Sequence, residues 1–185
     1  EVVITTSTFP APIAEKMDVI PNDRLLIIRM IVVFFFMRIA GEFGIRYIFE
    51  HATEAEEILP ELKAKNVPII VGPTMWGRTK LELHHKSFTM VKSAVDAGLL
   101  VAITSDHGVL PMRFLPVYTA LAVRHGLSSD DALKCITINP ARILGLDRTL
   151  GSLEAGKQAD IVVWNGDPLD ARRRIAERDQ ATVGR

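Results

Sequence analysis

Two short stretches place chemically capable side chains directly after strand-like apolar sequence. "VAITSDHGVLP" (101–111) runs strand-like for four residues and then presents Ser105, Asp106 and His107, and "RYIFEH" (46–51) ends on His51 in the same way. A carboxylate accepts protons and binds hard cations, and an imidazole binds borderline ones. Both residue types are hard-to-borderline metal ligands and fall on neighbouring units of one sheet. Ligands of parallel α/β sheets and barrels collect at the carboxyl ends of the strands, where both residues fall. The plainer alternative is that Asp106 caps the following loop and His51 is a strand-end histidine with its hydrogen bonds met.

Other candidates carry weaker signals. In "TMWGRTKLELHH" (74–85), Trp76, Arg78 and Lys80 could bind a substrate carboxylate, although a packed indole and two solvated cations explain the same residues. His84 and His85 are neighbours in helical sequence, where adjacent side chains diverge by about 100°, and His125 stands at a helix end, so surface or capping roles are expected for all three. Cys135 has no motif around it and reads as a buried, inert thiol.

The elements that must position His51 and Asp106 follow from punctuation. "FGIRYIFEH" is a strand after a helix ending at Gly44, and Thr53 with Glu56 reads as a capping box opening the helix "EAEEILPELKAKN". Pro60 conflicts with that helix, since mid-helix proline costs roughly 3 kcal/mol unless the helix kinks. "VPIIVGP" is a short strand buried on both faces. A helix is expected from about Lys80 to Ala97, stopped by Gly98, and then the strand "LLVAITS". Further helices are expected from Leu115 to His125, after a capping box at Ser128 and Asp131, and again from Asn139-Pro140. "DIVVW" (160–164), between two turn signals, reads as a hairpin-like strand of a separate, β-rich layer. Strands alternating with helices argue for βαβ units and a parallel sheet. A complete barrel needs at least about 200 residues, and this chain has 185, so only part of one is expected.

Composition narrows the function classes. A formal net charge of zero and 48% hydrophobic content describe a globular protein with no long-range attraction for nucleic acid or anionic membranes. The run Arg172 to Arg174 reads as a solvated face. The apolar run from Leu25 to Met37 contains Arg29 and falls short of the roughly 20 residues a membrane span requires, which favours a buried strand or core helix. The opening "EVVITTSTF" lacks the basic region of a secretory leader, and a single cysteine fits a reducing compartment, so a cytoplasmic location is expected. Residues 1–37 show no clean period and are left without an assigned element.

"EHATEA", "VPIIVGPTM", "SDHGVLP" and the closing segment "NPARILGLDRTLGSLEAGKQADIVVWNGDPLD" together resemble the C-terminal half of amidohydrolase-superfamily enzymes, specifically imidazolonepropionase-like metal-dependent hydrolases, over about 38–170. The resemblance implies an α/β fold, a partial (β/α)8 TIM-like barrel carrying strands 5–8 and their helices (38–150), with C-terminal strands of a small β-sandwich and a tail at 151–185. It implies that His51 is a metal ligand at the end of strand 6. Asp106, at the end of strand 8, would touch the metal and take the proton of the attacking water. His107 would be a substrate contact or structural. The cofactor implied is a divalent metal, zinc, one or two ions in an intact homologue. The activity implied is hydrolysis of carbon–nitrogen bonds in amides or cyclic amides, with a small-molecule substrate.

The chain departs from that pattern. It contains no His-x-His, the strand 4 ligand is not identifiable, and "RLLIIRMIVVFFF" stands where the strand 5 histidine belongs, as if read in a shifted frame. The alternative expectation is therefore a catalytically incomplete piece that self-associates or pairs with a separate N-terminal half.

Overall fold

The computed structural model describes residues 2–5, 33–75, 77 and 86–170. Strand β1 is Val2–Thr5 and helix α1 spans 33–42. Strand β2 is Tyr47–Glu50, and a 3-10 turn at Glu56–Ile58 leads into α2 (Leu59–Ala64). Next come β3 (Ile69–Val71), α3 (Met90–Asp96) and β4 (Val101–Ile103). A 3-10 turn at Met112–Phe114 opens α4 (Leu115–Arg124), followed by α5 (Ser129–Lys134) and α6 (Ile138–Ile143).

The four strands form one parallel sheet in the order β1-β2-β3-β4. Consecutive order without reversal is the pattern of a barrel arc, since a doubly wound sheet doubles back at a switch point. Short strands suffice because both faces are covered. Phe49, Ile69 and Val101 share one register row and lie in the main core. There they pack with α1, which contributes Val33, Met37 and Ala40 at helical spacing as buried residues, and with Leu62 of α2 and Met90 of α3. Ile48 and Ala102 form a smaller cluster with Ile143 of α6, with Ile70 and Leu100 packed against it. The near-continuous apolar strands noted in the sequence reflect this double burial.

Several sequence expectations change. Thr53 and Glu56 form no capping box: the turn at Glu56 has no side-chain cap, and the Glu56 carboxylate instead accepts hydrogen bonds from Thr89 and Ser93 at 3.1 and 3.3 Å. The Pro60 conflict dissolves because the segment is split. Its α-helical part begins at Leu59, so proline stands in the first turn, where its missing N–H has no intrahelical partner to lose. The helix expected from Lys80 begins at Met90, with residues 86–89 non-helical and 78–85 outside the described residues. The cap at Ser128 forms as expected, its hydroxyl accepting from the Asp131 N–H at 3.1 Å. α6 begins at Ile138, so Pro140 stands two residues further into the first turn than expected.

"DIVVW" is not a strand. Residues 160–164 carry no ladder, and Val163 is 81% exposed. An extended segment without a paired strand gains no ladder hydrogen bonds. Residues 2–5 and 33–37, which had no assigned element, supply β1 and the first turn of α1. Within α1, Val33 and Met37 are buried while Phe35 and Phe36 face outward edge to face, with ring centroids 6.0 Å apart. The Arg172 to Arg174 run and the remainder of the apolar stretch before residue 33 lie outside the described residues. Among the described residues no helix is long and apolar enough to cross a membrane.

Candidate active site at the strand ends

His51 follows β2 directly, and Asp106 lies three residues beyond β4, with β3 between the two strands. The parallel arrangement brings both to one rim of the sheet. There His51 Nε2 stands 3.3 Å from Asp106 Oδ2, and the imidazole is largely buried while the carboxylate is 40% exposed. The two residues singled out from sequence alone therefore meet, although 55 positions separate them.

Three local features produce the meeting. Both residues adopt left-handed backbone, φ 55° at His51 and 49° at Asp106, a conformation uncommon outside glycine and found disproportionately at functional sites. In a continued strand, alternation would place His51 on the face of Phe49, beneath the helices. The left-handed turn ends the strand there, and the chain after it is tied back by Ala52 N–H donating to Ile70 O at 3.1 Å. On the other side, Thr104 N–H donates to Val71 O at 2.9 Å, and Thr104 Oγ1 accepts the Asp106 N–H at 3.0 Å. Between them, Gly72 (φ 141°) removes the obstacle: a Cβ there would fall 2.1 Å from the Thr104 carbonyl oxygen. Thr104 and Gly72 were not singled out in the sequence, because their role lies in a backbone approach that no motif encodes.

His107, the exposed neighbour of Asp106, accepts the Met112 N–H on Nδ1 at 3.3 Å and so closes the loop after β4. Trp76, Arg78, Lys80, His84 and His85 lie outside the described residues. His125 ends α4 and stacks on Phe88 with centroids 5.3 Å apart, in keeping with its expected capping place. Cys135 is fully buried, and burial pushes its thiol up to about 12, which matches the inert reading.

The pair also fits a shared cation. Zinc bonds of roughly 2.0–2.1 Å at a tetrahedral angle put neighbouring donor atoms about 3.3 Å apart, and His51 Nε2 and Asp106 Oδ2 have that separation, which is long for a charge-assisted hydrogen bond. Nitrogen with carboxylate oxygen is a borderline-to-hard donor set suited to zinc and similar divalent ions. A catalytic zinc usually takes three protein ligands. The described residues bring no three His, Cys, Asp or Glu side chains together, so His51 and Asp106 would form part of the set.

Residues 37–183 match the sequence pattern of the amidohydrolase family. The chain is 40% identical over 86 residues to an imidazolonepropionase of Geobacillus kaustophilus, covering 42% of this chain and 20% of that protein. It is 36% identical over 107 residues to an N-substituted formamide deformylase of Arthrobacter pascens, covering 52% of this chain and 19% of that one. Among solved structures, an amidohydrolase of Thermotoga maritima superposes with a TM-score of 0.72 at 44% identity, over 75% of this chain and 36% of its own. The chain thus spans about a fifth of the length of these two curated relatives.

Proposed function

The chain belongs to the amidohydrolase family, and from that premise we propose that it contributes the strand-end site of a metal-dependent hydrolase cleaving non-peptide carbon–nitrogen bonds of amides or cyclic amides. In this reading β2, β3 and β4 take the places of barrel strands 6, 7 and 8. The observation that carries it is the convergence of His51 and Asp106 to 3.3 Å at the carboxyl rim, across β3, from two left-handed turns. The names of the two relatives, a deformylase of N-substituted formamides and an imidazolonepropionase, support the bond class.

His51 and Asp106 would hold the divalent metal, with zinc the best match to the donors. When bound, the ion supplies a Lewis acid and a water acidified to a pKa near 7. The Asp106 carboxylate, through the oxygen not given to the metal, would accept the proton of the attacking water, and its partial exposure keeps it in reach of a small molecule arriving from solvent. The carboxylate then returns the proton to the departing nitrogen, so one group serves both half-steps. His51, largely buried, fixes where the carboxylate works. Trp76 and Arg78 follow β3 in the sequence and are the candidates for holding a substrate carboxylate, with His107 beside Asp106 in the β4 loop. No observation favours a purely structural piece over this reading.

Elemental analysis of the purified chain, with and without Asp106→Ala, tests the metal. Divalent metal carried by the native chain and lost from the variant is expected. Absence of any bound cation at saturating zinc sinks the proposal. Amine release from small N-formyl amides and ring opening of cyclic amides, both abolished in Asp106→Ala, check the bond class.

A further inference from the structure

We propose that Thr104 is a positioning residue for Asp106, an inference that rests on the reading of His51 and Asp106 above. The Asp106 backbone sits in a left-handed turn, which for a side chain with a Cβ persists only when its surroundings impose it. A contact from Thr104 imposes it. The Thr104 hydroxyl oxygen accepts the Asp106 N–H at 3.0 Å, which bends the chain back immediately after β4. Thr104 is itself fixed from three sides. Its N–H donates to Val71 O, its carbonyl passes over Gly72, and its methyl group Cγ2 lies 3.1 Å from where a Gly72 Cβ would stand. The missing side chain at Gly72 is thus a seat for the Thr104 methyl group, and a seated methyl group leaves the hydroxyl aimed at Asp106. The consequence is that the Oδ2 atom of Asp106 is delivered to His51 Nε2 by a side chain that touches neither substrate nor metal. Groups that orient a metal-binding side chain in this way typically change metal affinity by about 10- to 100-fold when removed.

Cobalt(II), added to the full chain and followed by its visible absorption, measures the effect without relying on turnover. Thr104→Val keeps the shape and a methyl group but removes the acceptor, and is expected to weaken cobalt binding by on the order of 10-fold. Thr104→Ser keeps the hydroxyl and is expected to recover most of that lost affinity. A residue needed only for packing would give the reverse order, Ser weaker than Val, and that order overturns the proposal, as does native affinity in Thr104→Val. Should Thr104→Val fail to fold by circular dichroism, Thr104→Ala is compared with Thr104→Ser: weaker cobalt binding in Ala than in Ser supports the proposal, and equal loss in the two overturns it. Asp106→Asn separates the two levels. If it leaves cobalt affinity unchanged, the reading of the site itself fails. If it abolishes binding while Thr104→Val does not alter it, only the role of Thr104 fails.

Discussion

Replacing Gly72 by alanine puts the closest backbone approach at the site under direct stress. The added Cβ would meet the Thr104 carbonyl oxygen at 2.1 Å and its carbon at 3.0 Å, so β3 and the end of β4 must move apart. Overpacking of that kind costs about 1–3 kcal/mol, and holding alanine at φ 141° adds about 1–3 kcal/mol of backbone strain. A total near 4 kcal/mol is a large share of the roughly 5–15 kcal/mol that stabilises a typical domain. For a chain of this size it corresponds to a fall in melting temperature of roughly 8–16 °C. Gly44 provides the control. It also has positive φ, at 63°, but nothing lies within 4 Å of where its Cβ would stand, so Gly44→Ala should cost only the conformational part, about 1–2 kcal/mol. Urea denaturation of both variants, followed by circular dichroism, separates clash from strain. Equal destabilisation of the two, within about 1 kcal/mol, would refute the argument that Gly72 is there to let Thr104 pass.

Burial holds the Cys135 thiol neutral, with its pKa pushed up to about 12. Native protein should therefore resist Ellman's reagent at mildly alkaline pH and react only on unfolding, and prompt labelling of folded protein would contradict this. The linked stability is fully present below the ordinary thiol value of about 8.5 and is lost as pH rises toward 12, because the unfolded chain ionises first. Cys135→Ala should accordingly flatten the fall in urea midpoint between about pH 9 and about pH 11. Ser128→Ala removes the cap of α5 and should cost about 1 kcal/mol, read from the same urea curves. It should also raise the Asp131 carboxyl, which Lys134 foremost and then Ser128 hold below the ordinary carboxylate value, in a nuclear magnetic resonance titration.

β2, β3 and β4 were legible because short apolar runs bounded by glycine and proline have few alternatives to a doubly buried strand, and the strand-end rule then pointed to His51 and Asp106. The Ser128 cap was legible for a similar reason: its donor is three residues away. What escaped was non-local. β1 pairs with β2 across a long intervening segment, and four residues without neighbours carry no period. The spacing of Val33, Met37 and Ala40 was hidden by three consecutive phenylalanines, two of which face outward. Glu56 found its partners 33 and 37 residues further on, so a local capping rule could not anticipate them. "DIVVW" has strand composition, but a strand exists only with a neighbour, and composition does not supply one.

The two rims of the sheet are built differently. At the rim away from His51 and Asp106, the turns ending α2 and α3 are stapled to each other by Lys63 Nζ donating to Gly98 O at 2.5 Å. A designer could therefore diversify the exposed residues 107–109 after β4 as a combinatorial library while leaving that stapled base untouched. Variants drawn from such a library would differ in what they admit to the rim, and would inherit one common chassis.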